Sequence, residues 1–271
     1  MAEAELHFET RGRVALITLA RPQALNALTY AMLAEIRRLV RQAEADPEVT
    51  AIAFTGEGRG FCSGIDAQVL RQSAERGGSA PVSGGDGAGR DPPGMFSYLP
   101  QVSKPVIAAV NGVAAGGGFI LAMMSDLRFG TDAASFTTIF SKRGLIAEHG
   151  ASWLLPRLVG PARALDLLWS SRRIDAEEAL RIGLLDRLTP ADGLIDAVVE
   201  YADQLAAQIS PRAIAMIKSQ VYRHLSDAML PALEDSQRLM DEQLKHPDAT
   251  EGAMALIERR APKFQPWTGG A

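Results

Sequence analysis

The stretch PVIAAVNGVAAGGGFILAMMSDL, residues 105–127, determines the expected fold of this chain. Its β-branched apolar run, residues 106–110, predicts a buried strand that ends at an Asn-Gly pair. Three consecutive glycines, Gly116, Gly117 and Gly118, follow, and the apolar residues 119–124 predict a buried helix. Glycines between a strand and a helix bring backbone N–H groups and the positive end of the helix together. The stretch therefore predicts a site for an anion, or for an oxygen that becomes one.

A second glycine-rich stretch repeats this arrangement. Residues 51–55 predict a strand, and GEGRGFCSGIDA follows it at 56–67. A lone glycine triplet is equally compatible with a tight packing turn, but two strand-to-glycine units that each lead towards a helix favour a site. Neither unit contains GxGxxG, GxxxxGK or GxSxG, so they carry no dinucleotide fingerprint, phosphate loop or nucleophile elbow.

The composition limits the functional class. Of 271 residues, 47% are hydrophobic, which is enough for a substantial core, and the formal net charge is −4. A non-specific nucleic-acid binder would carry a basic surplus, so we do not expect a nucleic-acid partner. The single cysteine, Cys62, excludes an intrachain disulfide and a cysteine-based zinc cluster.

Hydropathy gives no sign of export or of a membrane span. The N-terminal sequence MAEAELHFETRGR is polar, and no run reaches the ~18 uninterrupted apolar residues that a span requires. We therefore expect a soluble cytoplasmic protein without a membrane partner.

The N-terminal part predicts a β-helix-β unit. Residues 14–20 alternate as a strand, and Thr29 is a candidate N-cap for a helix over residues 30–45. The strand at 51–55 follows this helix, so the two strands are expected to be parallel.

Residues 71–100 differ from their surroundings. They contain GGSAPVSGGDGAGRDPPG and few apolar residues, which predicts a long flexible loop. Two interpretations are open: a lid over the anion site, or an insertion without function.

The C-terminal part is predicted to be helical. Short strands at 127–130, 134–137 and 184–188 precede it, and from residue 195 onward four helices are predicted, over 195–209, 211–225, 232–245 and 250–260. We divide the chain into a core domain that carries the site, residues 1–194, and a helical oligomerisation region, residues 195–271.

Five blocks of sequence, in this order, resemble the crotonase superfamily of enoyl-CoA hydratases, isomerases and their relatives. They are RPQALNAL at 21–28, TGEGRGFCSGIDA at 55–67, AVNGVAAGGGFILAMMSDLRF at 109–129, RGLIAEHGASWLLPRLVG at 143–160 and EGAMALIERRAPKF at 251–264. The resemblance implies an α/β fold, a crotonase-like spiral of β-β-α units with a C-terminal helical region that mediates trimer formation. It also implies acyl-coenzyme A substrates, a homotrimer or a dimer of trimers, and no metal or cofactor beyond the coenzyme A of the substrate.

The family shares an oxyanion hole built from two backbone N–H groups. Matched by motif, these groups belong to Ile65, within Gly64-Ile65-Asp66, and to Gly117. Two such donors in a dry site contribute on the order of several kcal/mol to transition-state stabilisation.

The other residues of these loops have different expected roles. Asp66 is interpreted as a loop carboxylate that accepts hydrogen bonds from nearby backbone. Further substrate contacts implied by the resemblance are Gly116 beside the oxyanion hole, the backbone of Ile65, Asp66, Ala67 and Gln68 along the coenzyme, and Gln23 and Ala24 at the adenine. Arg259 has two interpretations: a contact to the coenzyme phosphates, made from a neighbouring subunit, or a solvated charge on a helix face.

The chain departs from the hydratase pattern at two positions that line the expected site. Hydration of a 2-enoyl thioester moves protons at two atoms, and two glutamates manage this in the hydratases. The matching positions here are Ile120, two residues after the glycine triplet, and Phe140. Neither side chain can accept or donate a proton, so the paired-carboxylate arrangement is missing.

Glu148 is the remaining candidate acid/base. It occupies the position at which several isomerases of the family carry a single catalytic Glu or Asp. We expect Leu145, Ile146 and Ala147 to desolvate its carboxylate and to raise its pKa. The neighbouring His149 is either a second titrating group or a surface histidine.

Three functions follow from these observations. The first is an enoyl-CoA isomerase-like enzyme with Glu148 as its only acid/base. The second is a hydratase-like enzyme of altered mechanism, which uses Glu148 alone or with Asp66. The third is a non-catalytic acyl-CoA binder, favoured by Ile120 and Phe140. RNA binding, known for one branch of the family, is disfavoured by the presence of only five lysines, Lys104, Lys142, Lys218, Lys245 and Lys263.

Overall fold

The structure, a computed structural model, describes residues 4–75 and 92–267. The strands in these ranges are β1 (Leu6–Arg11), β2 (Val14–Leu19), β3 (Ala51–Gly56), β4 (Gly60–Cys62), β5 (Val106–Val110), β6 (Val113–Ala115), β7 (Leu127–Gly130), β8 (Ser135–Thr137), β9 (Ile174–Asp175) and β10 (Arg187–Leu188). The helices are α1 (Tyr30–Ala45), α2 (Ala67–Glu75), α3 (Gly117–Met124), α4 (Ala151–Val159), α5 (Pro161–Ser170), α6 (Ala176–Ile182), α7 (Leu194–Gln208), α8 (Pro211–His224), α9 (Met229–Gln243) and α10 (Pro247–Glu258).

The N-terminal unit forms as its sequence predicts. β1 and β2 make an antiparallel hairpin, and β2 pairs with β3 in parallel. Between them, the Thr29 side chain accepts a hydrogen bond from Met32 N–H at 3.1 Å, which caps the first turn of α1. The side chains of Ile36 and Val40 on α1 are buried against the sheet. The parallel β-helix-β prediction is confirmed.

The central part winds as a spiral of β-β-α units. In each unit the first strand joins a six-stranded sheet, in the order β1-β2-β3-β5-β7-β10. The second strand joins a four-stranded sheet, in the order β4-β6-β8-β9. β3-β4-α2 and β5-β6-α3 are two successive units, so β3 and β5 are parallel neighbours, as are β4 and β6. The glycine-rich turns after β4 and β6 consequently lie side by side.

Two hydrophobic clusters hold these layers together. The larger one contains buried side chains of both sheets, of α1 and of α3. The smaller one lies on the other face of the large sheet, where Val198 and Ala202 of α7 pack against strand residues such as Ala53. The rings of Phe129 and Tyr201 meet edge to face, with centroids 5.8 Å apart.

A buried ionic network joins α8 to the large sheet. Lys218 Nζ lies 2.6 Å from Asp126 Oδ2, and Tyr222 Oη donates to Asp126 Oδ1 at 2.9 Å. Lys218 Nζ also donates to the carbonyl of Lys104, whose own Nζ donates to the carbonyls of Ala43 and Asp46 at the C-terminal end of α1. The C-terminal helices are therefore bonded to the core, as well as packed on it.

Several element predictions need correction. β1 was not predicted, because an edge strand with charged residues on its open face lacks a continuous apolar signal. β6 was missed because it is only three residues long, and α3 begins at Gly117 instead of residue 119. The predicted loop over 71–100 is wrong at its start, where α2 continues to Glu75 because residues 71–75 contain no glycine or proline to end the helix. It is also wrong at its end, where Met95, Phe96 and Leu99 are buried in the larger hydrophobic cluster. The glycine-rich run at 76–91, and with it the lid interpretation, lies outside the described residues.

The last predicted strand is shorter than expected. Of residues 184–188, only Arg187–Leu188 pair with the sheet, while Leu184 and Leu185 are buried as a packing turn. The four C-terminal helices are confirmed as α7 to α10, with ends shifted by up to three residues.

Across the described ranges, no helix combines the length and the apolar character that a membrane crossing requires.

Candidate active site

The first predicted donor, Ile65 N–H, sits on a loop held by two backbone hydrogen bonds. Leu28 N–H donates to Gly64 O at 2.7 Å, and Asp66 N–H donates to Leu28 O at 3.0 Å. This parallel bridge pairs Leu28 with Ile65 and points the N–H of Ile65 away from Leu28. Ile65 N–H donates to no acceptor among the residues that the structure describes. It is thus available to a ligand.

The second predicted donor, Gly117 N–H, opens a helix. Gly117 is the first residue of α3, and the N–H groups of a first helical turn have no partner within the helix. Its neighbours are engaged: Gly116 N–H donates to Thr137 O at 3.2 Å, and Gly116 O accepts from Ile120 N–H at 2.9 Å. Within the described ranges Gly117 N–H has no acceptor, and the positive end of α3 adds to its field.

The two donor loops touch each other. A Cβ built on Gly64 would lie 3.3 Å from Gly117 N and 2.9 Å from Ala115 O, and Gly64 has φ of +103°. A Cβ on Gly118 would lie 2.1 Å from Cys62 O, so only glycine fits there. The structure therefore brings Ile65 and Gly117 together as the sequence predicts, and glycine permits the close approach.

Asp66 is occupied by structural partners. Its Oδ1 accepts a hydrogen bond from Gln68 N–H at 2.9 Å, and its Oδ2 lies 2.9 Å from Arg21 Nη2. The Gln68 N–H first, and then the Arg21 guanidinium, hold the pKa of Asp66 below its usual range. This agrees with its interpretation as a loop carboxylate that accepts from nearby backbone.

Asn26 is a structural residue of the site that sequence reasoning missed. It is fully buried, with φ of +58°, and its Nδ2 donates to Glu57 O at 3.0 Å and to Gly60 O at 2.7 Å. Its Oδ1 accepts from Arg21 N–H at 2.9 Å. These bonds join the turn at 21–25 to the turn between β3 and β4. The one signal in the sequence was an asparagine in a loop of the matched RPQALNAL block.

The residues assigned to the coenzyme fall into two groups. Gln23, Ala67 and Gln68 are exposed around the 21–28 and 64–68 loops, and Ala24 O accepts from Ser63 Oγ at 3.1 Å. These residues lie on the two loops that meet at the bridge between Leu28 and Ile65. Arg259 lies elsewhere in the fold, exposed at the C-terminal end of α10 with φ of +55°, and no described hydrogen bond joins it to these loops.

Ile120 and Phe140 are both buried in the larger hydrophobic cluster. Ile120 lies one turn along α3 from Gly116, and Phe140 lies three residues after the end of β8. The two positions that correspond to the hydratase glutamates are thus apolar and dry.

Met95, in the segment 92–98, links His149 to the loop that carries Gly117. Met95 N–H donates to His149 Nδ1 at 3.2 Å, and Met95 Cε would lie 3.5 Å from a Cβ built on Gly117. His149 Nε2 in turn lies 3.5 Å from Glu148 Oε2. The side chains of Glu148 and His149 are 29% and 15% exposed, so both are partly covered. Burial lowers the pKa of His149, while Glu148 acts in the opposite direction.

The expected desolvation of Glu148 by its neighbours is wrong for two of them. Ile146 is 82% exposed and Leu145 is also exposed, whereas Ala147 packs against the core. The reason is a tight turn, in which Gly144 has φ of +70° and Leu145 N–H donates to Phe140 O at 3.0 Å. This turn directs both side chains outward.

Known proteins share this fold and resemble this sequence. Residues 9–266 match the family described as enoyl-CoA hydratase/isomerase. A probable enoyl-CoA hydratase from Mycobacterium leprae is 38% identical over 252 residues, covering 93% of this chain and 94% of that protein. A carnitinyl-CoA dehydratase from Citrobacter koseri is also 38% identical, covering 96% of this chain and 98% of that protein.

A solved enoyl-CoA hydratase from Mycobacterium tuberculosis H37Rv superposes with a TM-score of 0.85 at 29% identity, covering 97% of this chain and 99% of that chain. An enoyl-CoA hydratase from Polaromonas gives a TM-score of 0.85 at 30% identity, covering 96% and 99%. The fold of these neighbours and the family match define the class as crotonase-fold acyl-CoA enzymes. Within that class, the chain belongs to the enoyl-CoA hydratase/isomerase family.

Proposed function

We propose that this protein is an enoyl-CoA isomerase that shifts the double bond of a 3-enoyl thioester. In this proposal the N–H groups of Ile65 and Gly117 hold the thioester oxygen, and Glu148 moves the proton. The support for the oxyanion hole is the pair of backbone donors without acceptors in the described ranges, which lie on two loops in contact.

The observation that carries the isomerase proposal is the burial of Ile120 and Phe140. Hydration requires groups that activate water and protonate carbon, and these two positions offer neither. A double-bond shift requires only one group that removes a proton and returns it. Glu148 is a carboxylate on the loop that reaches the segment beside Gly117 through His149 and Met95.

The proposed chemistry balances with one carboxylate. Glu148 removes a proton from C2 of the 3-enoyl thioester, and the electron pair moves onto the thioester oxygen to give a dienolate. The two N–H groups stabilise the negative oxygen. The protonated Glu148 then gives its proton to C4, the double bond settles between C2 and C3, and the enzyme returns to its starting state.

A hydratase of altered mechanism is the second candidate. It is favoured by the names of the relatives, which are hydratases and a dehydratase. In this case Glu148 activates water, alone or with Asp66. The ion pair of Asp66 with Arg21 argues against Asp66, because a carboxylate stabilised in its charged form is a weak base.

A non-catalytic acyl-CoA binder is the third candidate. It retains the two donor loops and uses no proton transfer. In all three cases we propose that coenzyme A lies along residues 65–68, with Gln23 and Ala24 at the adenine. Arg259 is proposed to contact a phosphate of the coenzyme A that is bound to a neighbouring subunit.

Substrate comparison tests these candidates. The purified protein is given a 3-enoyl-CoA and, separately, a 2-enoyl-CoA, and the products are separated and identified. Conversion of 3-enoyl to 2-enoyl thioester without formation of 3-hydroxyacyl thioester supports the isomerase. Formation of 3-hydroxyacyl thioester from the 2-enoyl substrate supports the hydratase, and tight binding without turnover of either supports the binder.

A further inference from the structure

His149 and the segment opposite it have several residues in unusual, left-handed backbone conformations. His149 has φ of +52°, and it is followed by Gly150 at +82°. The opposing segment contains Gly94 at φ of +116° and Phe96 at +60°. A Cβ on Gly94 would lie 3.2 Å from His149 Cα, so glycine is required for this approach. Left-handed conformations at non-glycine residues persist where the surroundings enforce them, and they are concentrated at functional sites.

The hydrogen bond from Met95 N–H determines the form of the imidazole. A backbone N–H can only donate, so His149 Nδ1 must carry the lone pair that accepts it at 3.2 Å. In the neutral ring the proton is then on Nε2. Burial favours this neutral ring, since it lowers the pKa of His149.

The proton on Nε2 faces the carboxylate of Glu148. The distance from His149 Nε2 to Glu148 Oε2 is 3.5 Å, which is longer than a good hydrogen bond, and such bonds tighten when substrate binds. With Nδ1 occupied and Nε2 protonated, the ring offers no free lone pair. His149 is therefore arranged to direct a neighbouring group and not to act as a base itself.

We propose that His149 is a positioning residue, which orients the Glu148 carboxylate through its Nε2–H while Met95 N–H fixes the ring. This inference rests on the proposed role of Glu148 as the acid/base. The proposal gives the segment 92–98 a second role, because Met95 N–H donates to His149 Nδ1 while Met95 Cε would lie 3.5 Å from a Cβ built on Gly117. Met95 thereby links the two parts of the proposed site, because its backbone N–H holds His149 and its side chain extends towards Gly117.

Few charged groups lie near His149 in the described part of the chain. The charged group that affects the pKa of His149 there is Glu148. The segment 92–98 reads PPGMFSY and α3 reads GGFILAMM, so neither carries a charge. In α4 the Arg157 guanidinium stacks on the Trp153 ring, 4.2 Å from its centroid.

The variant His149→Asn separates positioning from folding. Asparagine tolerates the left-handed backbone, and its Oδ1 can accept from Met95 N–H as Nδ1 does. It has no counterpart of Nε2–H near Glu148. We expect kcat for 3-enoyl isomerisation to fall about 10- to 100-fold, because a misaligned base loses orientation. The Kd for a saturated acyl-CoA, which cannot react, should change less than about twofold, and the melting temperature should not change.

Two outcomes overturn the inference. Unchanged kcat in His149→Asn shows that the Nε2–H is not needed, and a parallel loss of saturated acyl-CoA binding shows that His149 has only a structural role. Measuring Glu148→Gln in the same assay distinguishes failure of the positioning role of His149 from failure of the proposed function. If Glu148→Gln keeps full activity, the proposed function fails; if Glu148→Gln is inactive while His149→Asn is fully active, only the positioning role fails.

Discussion

Arg21 Nη2 lies 2.9 Å from Asp66 Oδ2, and this ion pair joins two segments that are 45 residues apart in sequence. The same guanidinium donates to Ala27 O at 2.6 Å. Because the bridge between Leu28 and Ile65 lies directly beside these contacts, the ion pair helps to fix the direction of the Ile65 N–H. The donor geometry at the site thus depends on side chains that need not touch the substrate.

Replacing Asp66 by asparagine should weaken this loop. The amide oxygen of the new side chain can still accept from Gln68 N–H, but the amide has no charge for Arg21. We expect kcat/KM to fall about tenfold, since small displacements of an oxyanion donor are costly. The matched control is Asp132→Asn, which removes an exposed carboxylate and should leave kcat/KM unchanged. Equal activity of Asp66→Asn and wild type would show that the ion pair does not position Ile65.

The same pair predicts an acid dependence of stability. The pKa of Asp66 in the folded chain lies below the ordinary value of 3.8, so the unfolded chain binds its proton first as the pH falls. The stabilisation is therefore complete above the ordinary range and is lost as the pH falls through the lowered pKa. Urea unfolding at acid pH should show a smaller loss of stability in Asp66→Asn than in wild type. An identical acid dependence in both proteins would contradict this assignment.

Proline at position 117 tests the second donor directly. Gly117 is the first residue of α3, a position where proline fits a helix, so Gly117→Pro removes the N–H with little loss of helix geometry. We expect at least a ~100-fold loss of kcat, the cost of one oxyanion donor. Gly117→Ala is the control, because it keeps the N–H, and its Cβ meets the side-chain ends of Leu28 and Met95 at 3.3 and 3.5 Å and the backbone of Gly64 at an ordinary 3.6 Å. Comparable losses in both variants would indicate crowding and not loss of the donor.

The buried ammonium of Lys104 should make the protein more stable as the pH rises into the alkaline range. Its ammonium is buried at the end of α1, and burial lowers its pKa from 10.5 to about 8. Between these values the folded chain has released the proton that the unfolded chain still binds, so the free energy of unfolding rises with pH. Urea unfolding of wild type should gain stability over this interval relative to Lys104→Met. Lys142→Met, which changes an exposed lysine, should follow wild type at every pH.

The C-terminal helices predict self-association. α8, α9 and α10 expose large apolar side chains, among them Leu256 at 81%, and such a surface is typical of a covered interface. We propose that it forms a homotrimer or a dimer of trimers, with residues 195–271 as the oligomerisation region. Sedimentation at micromolar concentration should show the oligomer for wild type and for Glu234→Gln, and a smaller species for Leu233→Asp. A stable wild-type monomer would contradict the proposal.

The parts of the fold that were predicted are those fixed by local sequence. The helix α1 has its cap, Thr29, and its apolar stripe within one stretch, and β3 and β5 are continuous apolar runs. The two glycine-rich loops stand out in the sequence because glycine is required where Gly64 and Gly118 approach neighbouring backbone, while Ile65 and Gly117 were assigned as donors through the resemblance. Each of these signals can be read without knowing what lies across the fold.

The parts that were missed depend on distant contacts. Asn26 donates to carbonyls 31 and 34 residues away, and His149, although named from the sequence, accepts from an N–H 54 residues away that the sequence did not indicate. The exposure of Ile146 follows from a turn whose direction its own apolar character does not reveal. Pairings of this kind arise from the spiral, which places successive turns side by side.

Isomerisation by wild type and by Glu148→Gln tests the central claim most directly. Glutamine keeps the shape of the side chain but cannot transfer the proton. With a 3-enoyl-CoA substrate, the rate of conversion to 2-enoyl-CoA should fall by about 10,000-fold or more, because a sole acid/base has no substitute, while saturated acyl-CoA still binds. Undiminished conversion by Glu148→Gln would contradict the single-base mechanism.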